Sequence, residues 1–216
     1  EKKLNQFRHF TSKIDDLNIH FIYQKGANDN SIPLLISHGW PGSSIEFNNL
    51  IGPLTNPKKY GLDDKICFDL IIPSIPGFCF SSKPKSPYGP KKIAYYYNKL
   101  MTEYLNFDCY YAQGGDWGGA IATWLGYNHS EYCKGIHINI MMMRHHEGPK
   151  NKKEKDWHYN FIKEQEIEEG YRSLQSTKPL TLAYAMNENP VGVAAWILEK
   201  FHGWSDLSKF KLLDKY

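Results

Sequence analysis

The sequence predicts an α/β fold: a mostly parallel sheet with helices on both faces, followed by a layer made of helices alone. Three observations carry that expectation. Short apolar runs recur at residues 33–37 (PLLIS), 68–73 (FDLIIP), 109–112 (CYYA) and 135–140 (GIHINI), with helix-patterned stretches between them. Continuous apolar strands of this kind suit a parallel sheet buried on both faces. The alternation stops near Met143, and the chain beyond it carries helix signals with no strand among them. A length of 216 residues suits one domain, or one domain and part of another. The division expected is residues 1–143 for the sheet part and 144–216 for the helical part.

The elements follow in order. Residues 19–23 (IHFIY) are a β-rich run, expected to pair with the stretch around 10–14. The run 33–37 leads into His38-Gly39-Trp40-Pro41-Gly42-Ser43. Ser43 and Glu46 have the spacing of a capping box, which predicts a helix over about 44–51. Strand 68–73 is followed by a turn-rich stretch, and residues 93–105 carry apolar side chains at helical spacing. Strand 109–112 enters a glycine turn and then a helix to about Tyr127. Residues 156–170 are polar, acidic and helical in type, and 190–201 (PVGVAAWILEKF) form an apolar helix with Pro in its first turn.

Composition excludes some classes of function. A net charge of +3 is too small to argue for a nucleic-acid partner. The basic run Lys150, Lys152, Lys153, Lys155 is expected to be a solvated loop. The four cysteines match no zinc spacing. Cys67, Cys109 and Cys133, in or beside apolar runs, are expected to be buried free thiols of a reducing compartment. No apolar run approaches the roughly 20 residues that span a bilayer, and no signal peptide opens the chain. A soluble, cytoplasmic protein is expected. The chain starts at Glu1 rather than Met, so an anchor ahead of it stays open. The sequence is silent on oligomeric state.

The stretch AQGGDWGGA, residues 112–120, carries the chemistry. Gly114-Gly115-Asp116-Trp117-Gly118 has the spacing of a nucleophile elbow, G-x-S-x-G, with Asp in the serine position. The small residues let strand and helix pack closely at a strained turn, which pushes the apical side chain out at the carboxyl end of the sheet. The alternative is that Asp116 simply N-caps the next helix. The apolar strand before the motif and the apolar helix after it favour the elbow. A carboxylate, with an ordinary pKa of about 3.9, needs no base to become a nucleophile. It can attack a saturated carbon and form an alkyl ester. Water would then cleave that ester at its carbonyl, which creates an oxyanion that needs placed donors. The loop after the first apolar strand supplies one, so the expected pair is Trp40 N–H and Trp117 N–H. His38 is expected to tie that loop down rather than to catalyse.

HGWPGS, PSIPGFCFS, QGGDWGG, GIHINI and the block GYRSLQSTKPLTLAYAMNENPVGVAAWILEKF together resemble an epoxide hydrolase of the microsomal type, over about residues 7–204. The later block is more similar to the bacterial-type members than to the membrane-anchored animal ones. The resemblance implies an α/β-hydrolase core with an inserted helical cap, and an N-terminal segment before Tyr23 that wraps the core. It implies Asp116 as nucleophile and Tyr171 as one of two cap tyrosines that donate to the epoxide oxygen. A phenol of pKa about 10 suits that task, because it stays protonated at neutral pH yet can give its proton to an alkoxide. It implies a small hydrophobic epoxide as substrate, a vicinal diol as product, and no metal or organic cofactor.

The family pattern also needs an acid, a histidine and a second tyrosine after the cap. The chain ends at Tyr216, so it is expected to be a fragment, truncated at both ends, that alkylates at Asp116 without turning over. Its last strand would then leave a sheet edge exposed. His129 and His137 are expected to be satisfied structural histidines. His145 and His146 are the only lookalikes for a catalytic one. A haloalkane dehalogenase also uses a G-x-D-W-G elbow, but Trp40 stands where that family commonly has a halide-binding Asn. A non-catalytic relative acting as a binding protein, or a covalent trap for epoxides, is the remaining alternative.

Overall fold

The computed structural model describes residues 2–141 and 147–208. It divides into two units, Glu1–Arg144 and His145–Tyr216. The first is built on a six-stranded sheet of order β1-β2-β4-β3-β5-β6. Its strands are β1 (His9–Ile14), β2 (Leu17–Gln24), β3 (Ile32–Ser37), β4 (Phe68–Pro73), β5 (Tyr110–Gly114) and β6 (Cys133–Ile138). β1 and β2 form an antiparallel hairpin, and β2 meets β4 antiparallel. From β4 through β3 and β5 to β6 the pairing is parallel. The mostly parallel sheet expected from the apolar runs is therefore present.

The alternation along β4 shows why the run had to be continuous. Leu70 and Ile72 pack with Ile22, Ile36 and Ile51 of α1 (Asn48–Thr55) on one face. Ile71 packs on the other, with Tyr97 of α2 (Pro90–Lys99) and Ile121 and Leu125 of α3 (Trp117–Asn128). From Asp69 to Pro73 each β4 side chain is buried whichever way it points. The expected helix over 93–105 is α2 followed by a π turn at Leu100–Tyr104.

The N-terminal segment is part of the sheet rather than only a wrap around it. Phe7 packs on the α1 side, while β1 and β2 add strands at one edge. A histidine relay fastens it. His9 Nε2 lies 2.7 Å from Leu4 O, His9 Nδ1 lies 2.8 Å from His20 Nε2, and His20 Nδ1 lies 2.8 Å from Ser74 Oγ. Only a donor can face the Leu4 carbonyl. His9 Nε2 therefore carries a proton and donates to it. Burial, and next the neighbouring His9, lower the His20 pKa to about 4, which keeps it neutral.

Several expectations need correction. Ser43 Oγ accepts from Ile45 N–H at 3.3 Å, not from Glu46, and a 3₁₀ turn at Ser44–Phe47 precedes α1. The reciprocal capping box lies instead at Asn151 and Glu154, opening α4 (Lys152–Thr177). Lys152, Lys153 and Lys155 are exposed as expected, but on that helix rather than in a loop. Cys67 and Cys133 are buried free thiols. Cys109 is exposed, because β5 begins one residue later. His137 is exposed, because β6 is the last strand at its edge of the sheet.

The second unit contains α4, α5 (Pro179–Glu188) and α6 (Pro190–Trp204). The apolar helix expected at 190–201 is α6, while α5 was not separately anticipated. None of these helices contains a buried residue. No described helix is long and apolar enough to cross a membrane.

Candidate active site

β5 ends at Gly114 and α3 begins at Trp117, so two residues make the turn. Asp116 stands at its apex with φ 50° and ψ −129°, a region that side chains with a Cβ rarely occupy. The flanking glycines make this possible. A Cβ on Gly114 would overlap the Gly118 backbone, and a Cβ on Gly118 would overlap the Ser37 carbonyl at the end of β3. The elbow is therefore pressed against the strand that feeds the His38–Ser43 loop.

Asp116 does not cap α3 with its side chain. Its carboxylate lies over Gly39, where a Cβ would overlap it. Its Oδ1 accepts the Trp40 N–H at 2.8 Å. The simple capping alternative is thus set aside by geometry. Trp117 N–H, the first of α3, belongs to the N–H groups that a helix leaves without an internal partner. It makes no hydrogen bond to Asp116 among the described residues.

His38 is buried and both ring nitrogens are committed. Nδ1 lies 3.0 Å from Gly39 O, and Nε2 accepts from Ile75 N–H at 3.1 Å. Burial lowers its pKa, against the opposing pull of the Gly39 carbonyl and the Asp116 charge. It is a neutral tie between two loops, as expected.

Two neighbours went unnoticed as site residues in the sequence. The carboxyl of Glu46 lies against Gly42, although the residue as a whole is exposed. Burial raises its pKa, the Ser43 backbone lowers it, and the Asp116 charge raises it further. The Asn139 carboxamide lies against Gly115, one residue before the apex. The Glu46 signal was present, but its spacing pointed to a helix cap. Asn139 gave none.

Comparison with known proteins decides the family. The model described as "alpha/beta hydrolase fold" matches residues 32–178, and "Epoxide hydrolase N terminus" matches residues 1–47. The chain belongs to the α/β-hydrolase fold family. Within that family it is similar to a putative epoxide hydrolase of Stigmatella aurantiaca, 38% identical over 95% of this chain and 48% of the relative. It is 37% identical to epoxide hydrolase 1 of Oryctolagus cuniculus, over 98% of this chain and 51% of the relative. These values do not separate the bacterial from the animal type. The juvenile hormone epoxide hydrolase of the silkworm Bombyx mori superposes with a TM-score of 0.81 at 30% identity, over 96% of this chain and 53% of that one. The chain spans about half the length of the curated relatives it matches.

The other α/β-hydrolase residues singled out in the sequence lie as follows. Tyr171 is half-buried on α4, with its ring edge-to-face against Trp204 at 5.3 Å. Lys200 Nζ stands 5.3 Å from the Tyr171 ring centroid. Glu168 gathers Lys200 Nζ at 2.8 Å and Trp204 Nε1 at 3.0 Å, which docks α6 on α4 beside that ring. The Tyr171 hydroxyl makes no hydrogen bond among the described residues. His129 is half-buried, and burial lowers its pKa despite Glu131 nearby. His145 and His146 lie outside the described residues. Among the described residues no group of three His, Cys, Asp or Glu could hold a metal ion.

Proposed function

We propose that the chain carries the nucleophile of an epoxide hydrolase, and that Asp116 is that nucleophile. The observation that carries this reading is the 2.8 Å bond from Trp40 N–H to Asp116 Oδ1, at an apex whose side chain leaves the helix uncapped. It divides the labour between the two carboxylate oxygens. Oδ2, which has no hydrogen bond, attacks the less hindered epoxide carbon. The C–O bond breaks, an ester forms, and the epoxide oxygen leaves as an alkoxide that takes a proton from a phenol. Tyr171 is assigned that phenol through the family resemblance, and its anchored ring with an uncommitted hydroxyl suits the role. Oδ1 remains the carbonyl oxygen. When water attacks the ester carbon, negative charge collects on Oδ1, where Trp40 N–H already points and Trp117 N–H is the second donor. The product is a vicinal diol.

Release of that diol needs a base to activate the water. His38, in the loop that faces Asp116, has neither nitrogen available. The substrate class proposed is a small hydrophobic epoxide.

Intact-mass spectrometry after exposure to a styrene-type epoxide tests this, with Asp116→Ala as control. A persistent adduct that maps to Asp116 supports the reading. An adduct on another residue, or neither adduct nor diol, overturns it. Haloalkane exposure separates the dehalogenase alternative, which would give the alkyl adduct with halide release.

A further inference from the structure

Two carboxylates flank the loop between β3 and α1. Asp116 lies against Gly39, and Glu46 lies against Gly42, three residues further on. Each accepts a backbone N–H from the same loop, Trp40's for Asp116 at 2.8 Å and Ser43's for Glu46. The Glu46 backbone N–H also donates to Ser43 O at 3.2 Å, so one residue closes this turn with both its main chain and its carboxyl.

The loop has little else to hold it. Glycine at 39 and 42 supplies no side chain to pack, and a carboxyl lies where each missing Cβ would stand. Upstream of Trp40, His38 ties Gly39 O and Ile75 N–H together. Downstream, the polar ties are Glu46 and the Ser43 Oγ, which accepts from Ile45 N–H at 3.3 Å. Trp40 N–H stands between these fastenings. A plain helix cap would explain the Ser43 bond. It would not explain why the carboxyl is kept under Gly42, where burial and the Asp116 charge both disfavour its ionised form.

We infer that Glu46 is a positioning residue for the nucleophile: by bracing the loop at Gly42 and Ser43, it holds the Trp40 N–H on Asp116 Oδ1. The inference rests on the reading of Asp116 given above, but its first test needs no substrate.

That test is amide hydrogen exchange of the whole chain, read at Trp40 and at the sheet residues Leu35 and Ile71. Glu46→Ala speeds exchange at Trp40 about tenfold or more, the scale of one lost bond to a charged group, and leaves the sheet amides unchanged. Glu46→Gln keeps an oxygen that accepts from Ser43 N–H and stays within about threefold of wild type. Glu46→Asp keeps the charge, falls one methylene short, and behaves like the alanine variant. The alkylation rate at Asp116 follows the same order. Unchanged exchange at Trp40 in Glu46→Ala overturns the inference. If the alanine variant also loosens the sheet, the Asp and Gln variants decide, and an Asp variant that matches wild type overturns it. If Trp40 responds as expected while wild type forms no epoxide adduct, the positioning role stands and the epoxide reading falls.

Discussion

The two units of the chain hold their proposed site residues by different means. In the sheet unit Asp116 is placed by contacts that leave no alternative. Gly114 and Gly118 are wedged against backbone, and the sheet beneath them has Leu35, Leu70, Ile71 and Ile72 at zero exposure. In the helical unit Tyr171 is placed by one ring contact and one charged cluster, and no helix buries a residue. The difference teaches that a turn with a strained apex needs a fully packed support, because the cost of a positive φ must be met by contacts elsewhere. The phenol proposed as a proton donor sits on a helix with modest local anchoring.

This contrast can be broken in order of effect. The largest belongs to Asp116→Gly, which abolishes the epoxide adduct while leaving the thermal unfolding midpoint unlowered, since glycine adopts φ 50° without the strain a Cβ brings; intact mass and calorimetry check both halves. Next, Leu70→Ala costs about 2–5 kcal/mol in denaturant unfolding, whereas Leu180→Ala on α5, 70% exposed, stays within about 0.5 kcal/mol. Equal losses at the two sites would mean that the helical unit is packed more tightly than its surface indicates. Glycine gives the sharpest pair. Gly118→Ala drives a methyl into the Ser37 carbonyl and costs about 3 kcal/mol. Gly170→Ala in α4 meets nothing within 4 Å and stabilises by up to about 1 kcal/mol through helix propensity.

A smaller effect follows pH. The His20 pKa falls from 6.5 to about 4 on folding. The unfolded chain therefore binds the extra proton between those values, and stability is lost as pH drops through that window. The loss is about 2–3 kcal/mol between pH 7.5 and 4.5, read by denaturant unfolding. In His20→Gln, which cannot titrate, this difference shrinks. An unchanged pH dependence in the variant would remove His20 as its source.

Much of the core was legible because its signals are local. The apolar runs became β3 to β6, and the G-x-D-x-G spacing marked the elbow to the residue. The less legible parts depend on distant partners. Cys109 sits beside an apolar run yet is exposed, since one residue decides whether it belongs to β5. His137 lies in a strand yet is exposed, since burial in a sheet depends on what stands beside the strand. The Ser43–Glu46 spacing was read as a helix cap, while the carboxyl is held beneath Gly42 by a turn that periodicity does not describe.

By itself, then, the sequence determined the succession of strands and helices, the glycine turn and the aspartate at its apex. Each is set by residues within one or two turns of one another, where hydrophobic period and steric permission act directly. Only the tertiary structure decided what the aspartate faces. Trp40 and Asp116 are 76 residues apart along the chain, and their bond exists because β3 and β5 are parallel neighbours that bring both loops to one end of the sheet. Spacing records local geometry, while a contact between two strand ends is settled by which strands pair.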